Sequence, residues 1–122
     1  MTTSSSSPFE GPQDKPNWVS SRTKSKSHLM LALKYKDQPQ QAMARLKLII
    51  ESMSGSKIIS SDDQSYTVEY TTRILRFVDD VYFEINADLN VIDFISKSRI
   101  GYSDLGANRS RIEQVRDLFE SK

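Results

Sequence analysis

Residues 66–98 read YTVEYTTRILRFVDDVYFEINADLNVIDFISKS, and their periodicity decides the fold. Tyr66, Val68 and Tyr70 alternate with Thr67, Glu69 and Thr71, the period of two of a half-buried strand rich in β-formers. The alternation slips in Thr72–Phe77, where Ile74 and Leu75 are adjacent, so a bulge or a change of strand belongs there. It resumes where Val81, Phe83 and Ile85 alternate with Tyr82, Glu84 and Asn86. Ala87-Asp88-Leu89-Asn90 has the chemistry of a hairpin turn, and Val91–Ser98 is the returning strand.

Upstream, Lys57–Ser60 is a short strand followed by the turn residues Ser61–Gln64. Before it, Ala42, Met43, Leu46, Ile49, Ile50 and Met53 recur at three- and four-residue spacing. That stripe predicts a helix over 39–54, started by Pro39 with Asp37 or Gln38 as cap and stopped at Gly55. Still earlier, His28–Leu33 reads as a short strand or extended segment. Downstream, Ile112, Val115, Leu118 and Phe119 predict a second helix beginning near Asn108 or Arg109, with Leu105 packing beneath its first turn. Strands joined by short turns pair antiparallel, and two amphipathic helices must cover one face to close a core. The expected fold is therefore α+β, a two-layer sandwich whose antiparallel sheet of about four strands is flanked in sequence by two amphipathic helices.

Composition narrows the rest. The chain has 122 residues, of which 37% are hydrophobic and 27% charged, and its mean hydropathy of −0.53 is polar enough to imply an unfolded portion. Residues 1–15 are that portion, a Ser/Thr/Pro-rich head expected to be disordered, and 16–122 form a single domain. Phe9 is the only large apolar residue of the head and is expected to stay undocked, so that Trp18 and Val19 are the first anchors. Seventeen basic against sixteen acidic residues leave a net charge of +1, too little for a general field that gathers nucleic acid. The absence of cysteine excludes disulfides, thiolate nucleophiles and Cys-based zinc sites. No charged start followed by an apolar run marks a signal peptide, and no apolar stretch is long enough to span a bilayer, so a cytoplasmic protein is expected.

One segment carries more chemistry than a connection needs. Residues 98–111, SRIGYSDLGANRSR, pack two glycines, an Asp, an Asn and three arginines between the last strand and the last helix. Unpaired N–H groups at the helix start, together with Arg99, Arg109 and Arg111, compose an anion pocket. The alternative is scaffolding, with Asp104 or Asn108 capping the helix and the arginines paired to Asp79 and Asp80. The candidate binding residues are therefore Asp79, Asp80, Arg99, Ser103, Asp104, Asn108 and Arg109, with Arg99 and Arg109 holding a small anion or acidic partner, Asp79 and Asp80 orienting them, and Ser103 and Asn108 capping or donating.

Other constellations are weaker. Ser20 or Ser21, His28 and Asp79 or Asp80 supply the parts of a hydrolase, but no nucleophile-elbow sequence surrounds either serine. Adjacent aspartates on a strand point to opposite faces and do not readily share a cation. The basic run from Arg22 to Lys36 lacks any nucleic-acid motif. No catalytic residue, metal ligand or cofactor is assigned. The expected role is a non-enzymatic binding or accessory domain, the alternatives being a hydrolase-like enzyme using His28 with Asp79 or Asp80, and a structural domain that assembles with a protein partner.

Three stretches together resemble domain of unknown function family 1499, found in bacteria and chloroplasts. They are Pro16-Asn17-Trp18-Val19-Ser20-Ser21, Phe77-Val78-Asp79-Asp80-Val81, and the segment 98–111, which fits the pattern S-R-x-G-x-S-D-x-G-x-N-R-x-R. His28 falls where the family has a histidine, and the resemblance spans roughly residues 16–119. Two departures stand out: Trp18 occupies a position that is commonly Cys in the family, and Ile95 one that is commonly Arg. Relatives often begin with an export or lipoprotein signal, which this sequence does not show. The resemblance implies the domain boundaries and the candidate surface, and no activity.

Overall fold

In the computed structural model, residues 7–73 and 75–120 are described. The elements run β1 (Trp18–Ser20), β2 (Leu33–Lys34), α1 (Pro39–Ser52), β3 (Ser56–Ser61), β4 (Ser65–Thr71), β5 (Val78–Asn86), β6 (Val91–Ser98) and α2 (Ala107–Glu120). Strands β3 to β6 form an antiparallel meander in sequence order. The alternation that predicts β4 and β5 is the alternation observed: Tyr66, Val68, Tyr70, Val81 and Phe83 are buried, while the residues between them are half-exposed. The slip at Thr72–Phe77 is the β4–β5 connection, closed by Thr72 N–H donating to the Phe77 carbonyl (2.8 Å).

The sheet has six strands rather than about four. β1 and β2 both pair with β6, Trp18–Ser20 opposite Lys97–Ile95 and Leu33–Lys34 opposite Ile92–Val91. At three and two residues they are too short to display a period, so the sequence pattern offers Trp18 and Val19 only as anchors and touches β2 only through the extended segment His28–Leu33. Helix α1 starts on a capping box between Gln38 and Gln41 with Pro39 in its first turn. Gly55, at φ +81°, then turns the chain into β3. Both helices pack on one face, where Leu46, Ile50, Ile112, Val115 and Phe119 meet Val68, Val81, Phe83, Ile92 and Phe94.

The opposite face carries a smaller cluster. Phe9, Trp18 and Ile95 are buried there against Tyr82. Phe9 is thus docked, 2% exposed, and not loose as its polar surroundings suggest. Burying such a ring contributes roughly 1.5–3 kcal/mol, which offsets the ordering of a short segment. That segment is tied by Trp18 Nε1 donating to the Pro12 carbonyl (2.7 Å), and Gly11 lies so close that a Cβ there would meet the indole at 2.6 Å. The first part of the expected unfolded head, residues 1–6, lies outside the described residues.

Candidate functional site

The period of a strand separates the two adjacent aspartates. Asp79 is in phase with Val81 and Phe83 and faces the helices; Asp80 is in phase with Tyr82 and faces away. Asp79 meets Arg111 (Nη2 to Oδ2, 2.7 Å) in a pair that is nearly all buried. Removing one partner of a buried pair leaves an uncompensated charge, at a cost of about 3–5 kcal/mol. Arg111 also lies 4.7 Å from the centre of the Tyr70 ring. Burial pushes the Tyr70 hydroxyl up to about 12, against the opposing pull of the Arg111 charge.

Asn108 is the hub beside that pair. Its Nδ2 shares its protons among the Asn17 carbonyl (3.0 Å), Ser98 Oγ (3.0 Å) and Asp104 Oδ2 (2.7 Å). Its Oδ1 accepts from Ser96 Oγ (2.7 Å) and Arg111 Nη1 (2.8 Å). Asp104 caps α2, accepting from Gly106 N–H (2.9 Å) and Asn108 N–H (3.0 Å). Burial raises the Asp104 carboxyl, but the hydrogen bonds from Asn108 and Gly106 outweigh it and hold the group below its ordinary value. Asn17 closes the set by donating to the Gly101 carbonyl (2.8 Å). One end of β1, two strands of the meander, the loop and the helix start are thereby stitched by a single internal network.

The remaining candidates stand elsewhere. Arg99, half-exposed on the far face, grips Asp80 with Nε (3.1 Å) and Nη2 (2.6 Å) and reaches Glu69 (2.9 Å). Those two carboxylates raise its already high pKa. Arg109 is exposed and donates to the Ser27 carbonyl (3.1 Å). Ser103 Oγ accepts from Leu105 N–H (3.2 Å). The structure thus brings Asp79, Asp104 and Asn108 into one network, joins Asp80 to Arg99, and leaves Arg109 and Ser103 apart from both. Leu105 does not pack beneath the helix: it is 97% exposed with φ +53°, because Asp104 turns the chain outward as it caps.

His28 lies in neither group. Its ring stacks on Trp18 at 3.7 Å, Nδ1 meets Ser25 Oγ (2.5 Å), and Nε2 meets the Lys15 carbonyl (2.8 Å). Its partners are Ser25, Ser27 and Lys15, while Asp79 and Asp80 are engaged by arginines. A cleft of about 710 Å³ is lined by Lys34, Tyr35, Arg45 and Phe119 among others, and none of the seven candidates borders it. Among the described residues, no group of three His, Asp or Glu side chains could hold a metal ion, and no helix is long and apolar enough to cross a membrane.

Compared with known families, residues 10–119 match the model of the family described as "Protein of unknown function (DUF1499)". The chain belongs to that family. No curated protein and no solved structure matched it. Within this DUF1499 domain, Ser98, Asp104, Asn108 and Arg111 of segment 98–111 belong to the internal network. The sequence reading gave Arg111 a share of the pocket's charge but left it out of the candidate set, and it did not include Asn17, Ser96 or Ser98. The helical stripe could have found Arg111: residues 108, 111, 112, 115 and 119 share one face, which turns Asn108 and Arg111 inward and Arg109 outward. The two departures from the family pattern also meet in space, since Trp18 and Ile95 are both members of the cluster with Phe9.

Proposed function

We propose that this domain is a non-enzymatic binding or accessory module whose contact surface is the loop between the last strand and the last helix. Arg99, Ser103 and Arg109 stand at its outside, and Asp79, Asp80, Asp104 and Asn108 hold it in place. The observation that carries this reading is Leu105. A non-glycine residue in the left-handed region costs roughly 1–2 kcal/mol, and an apolar side chain 97% exposed recovers nothing by burial. The Asp104 cap sets the turn at this position, and contact with a partner would give its exposed apolar side chain a use. Ile100 and Tyr102 are exposed on the same loop. The saturated network beneath suits a support that fixes the loop's shape before contact, which lowers the ordering cost of binding.

The partner class expected at this surface is an anion or an acidic group, met by Arg109 and the outer edge of Arg99. Thermal denaturation of the full chain with inorganic phosphate, polyglutamate and short RNA, together with sedimentation with lipid vesicles, tests it. A soluble probe at a hundredfold its dissociation constant stabilises the fold by roughly 2.7 kcal/mol, a resolvable shift for a domain of this size. The expected result is a response to at least one anionic probe that is lost in Arg109→Gln or Leu105→Ser. Silence from every probe would remove the reading.

A further inference from the structure

Five large apolar side chains stand exposed at one end of the sheet. Leu75 and Phe77 belong to the β4–β5 connection, and Ile100, Tyr102 and Leu105 to the β6–α2 loop; they are between 48% and 97% exposed. The register places both loops at the same end: Asp79 is opposite Ser98, and Arg99 N–H donates to the Val78 carbonyl (3.1 Å). Two of the three non-glycine residues with positive φ among the described residues, Arg76 and Leu105, are here, so backbone strain and apolar exposure coincide. The third, Asn90, is of a type that tolerates that conformation.

The charges around these side chains have one sign to spare. Arg73 and Arg76 alternate with Leu75 and Phe77, are exposed, and have no acidic partner among the described residues. The acids Glu69, Asp79 and Asp80 at this end are consumed by Arg99 and Arg111, and Asp104 by the cap of α2. Glu51, in the last turn of α1, is an acid outside those pairs. At the opposite end the two hairpin turns carry Asp62, Asp63 and Asp88 and no basic residue, although Lys34 and Lys36 lie toward that side.

We infer that this end of the domain docks on an anionic lipid surface, the apolar tips entering the headgroup region while Arg73 and Arg76 meet lipid phosphates. The inference rests on the reading of the β6–α2 loop as a contact surface and names its partner. A bilayer suits the geometry better than a protein does. The apolar side chains sit on the tips of two separate loops, and a fluid interface accepts projecting side chains at any spacing where a protein would need matching pockets. Tyr102 is of the aromatic type enriched at the membrane–water interface, and Phe77 of the type that enters the headgroup boundary. No described helix is long and apolar enough to cross a membrane.

Sedimentation of the full chain with phosphatidylcholine vesicles, with and without phosphatidylglycerol, tests it. Each arginine near an anionic surface contributes about 1 kcal/mol, so Arg73→Gln/Arg76→Gln should bind phosphatidylglycerol vesicles about thirtyfold more weakly. Tyr102→Ser/Leu105→Ser should weaken binding as well, and neither double variant should shift the melting temperature, because all four side chains are exposed. A wild-type chain that stays in the supernatant with phosphatidylglycerol vesicles would overturn the inference. So would binding that neither double variant weakens, or binding that is equal on neutral vesicles. If vesicles fail but phosphate or polyglutamate binds in a Leu105-dependent way, the lipid inference falls and the contact-surface reading stands; if every probe fails, both fall.

Discussion

Asp104 joins three roles in one carboxylate: it caps α2, orients Asn108 and turns the chain so that Leu105 points outward. Its folded value lies below the ordinary 3.8, so as pH falls the unfolded chain takes up this proton first. The stability it contributes is complete above the ordinary value and is lost as pH drops through the folded one. Urea midpoints measured downward from about pH 5 should fall, and Asp104→Asn, which has no charge to lose, should show a shallower acid limb. Asp37, lowered chiefly by its hydrogen bond from Arg45, and Asp62, lowered by the N–H groups of Gln64 and Ser65, keep part of that limb in the variant. An unchanged acid limb in Asp104→Asn would show that the cap does not depress the group. At this scale the sequence reveals residue types and not their directions. The cap was legible only as a choice between Asp104 and Asn108, and the competition of Arg109 and Arg111 for Asp79 is decided by helix phase, which a count of arginines cannot show.

Among the elements, the long strands and both helices were legible because each repeats its period several times. β1 was not, and β2 only as the end of the extended segment His28–Leu33, since two or three residues contain no period and their pairing with β6 is specified by distant contacts. The docking of Phe9 was hidden for a related reason: its partners Trp18, Tyr82 and Ile95 are spread across three strands and converge only in the folded sheet. Junctions between elements respond to substitution by local geometry. Gly55 has φ +81°, and a Cβ there would fall 2.3 Å from the Thr71 carbonyl oxygen, whose own N–H bonds back to Gly55. Gly106 has nearly the same φ, +83°, but open space around it. Gly106→Ala should cost about 1–2 kcal/mol for the left-handed backbone alone. Gly55→Ala should cost more, because the end of β4 must also shift. Urea unfolding of the two variants ranks them, and an equal or reversed order would contradict the packing at the α1–β3 junction.

At the scale of the whole molecule, the helices close a core on one face and the N-terminal segment seals part of the other. What neither layer covers is the end where the β4–β5 and β6–α2 loops emerge. The division between an internal polar support and an external apolar rim was only half legible: segment 98–111 announced itself by composition, yet Asp104, Asn108 and Arg111 turn into the network while Ile100, Tyr102 and Leu105 face solvent beside the exposed Arg99 and Arg109. The measurement that tests this division most directly is the urea-unfolding free energy of Asn108→Ala beside that of Tyr102→Ala. Asn108→Ala takes one hydrogen bond from each of Ser96, Arg111, Asp104 and the Asn17 carbonyl, and leaves a gap at the centre of the network, and should lose at least about 2–3 kcal/mol. Tyr102→Ala should remain within about 0.5 kcal/mol of the parent. A tolerated Asn108→Ala together with a destabilising Tyr102→Ala would mean that the loop's exposed side chains hold the fold and the network does not, contradicting the account.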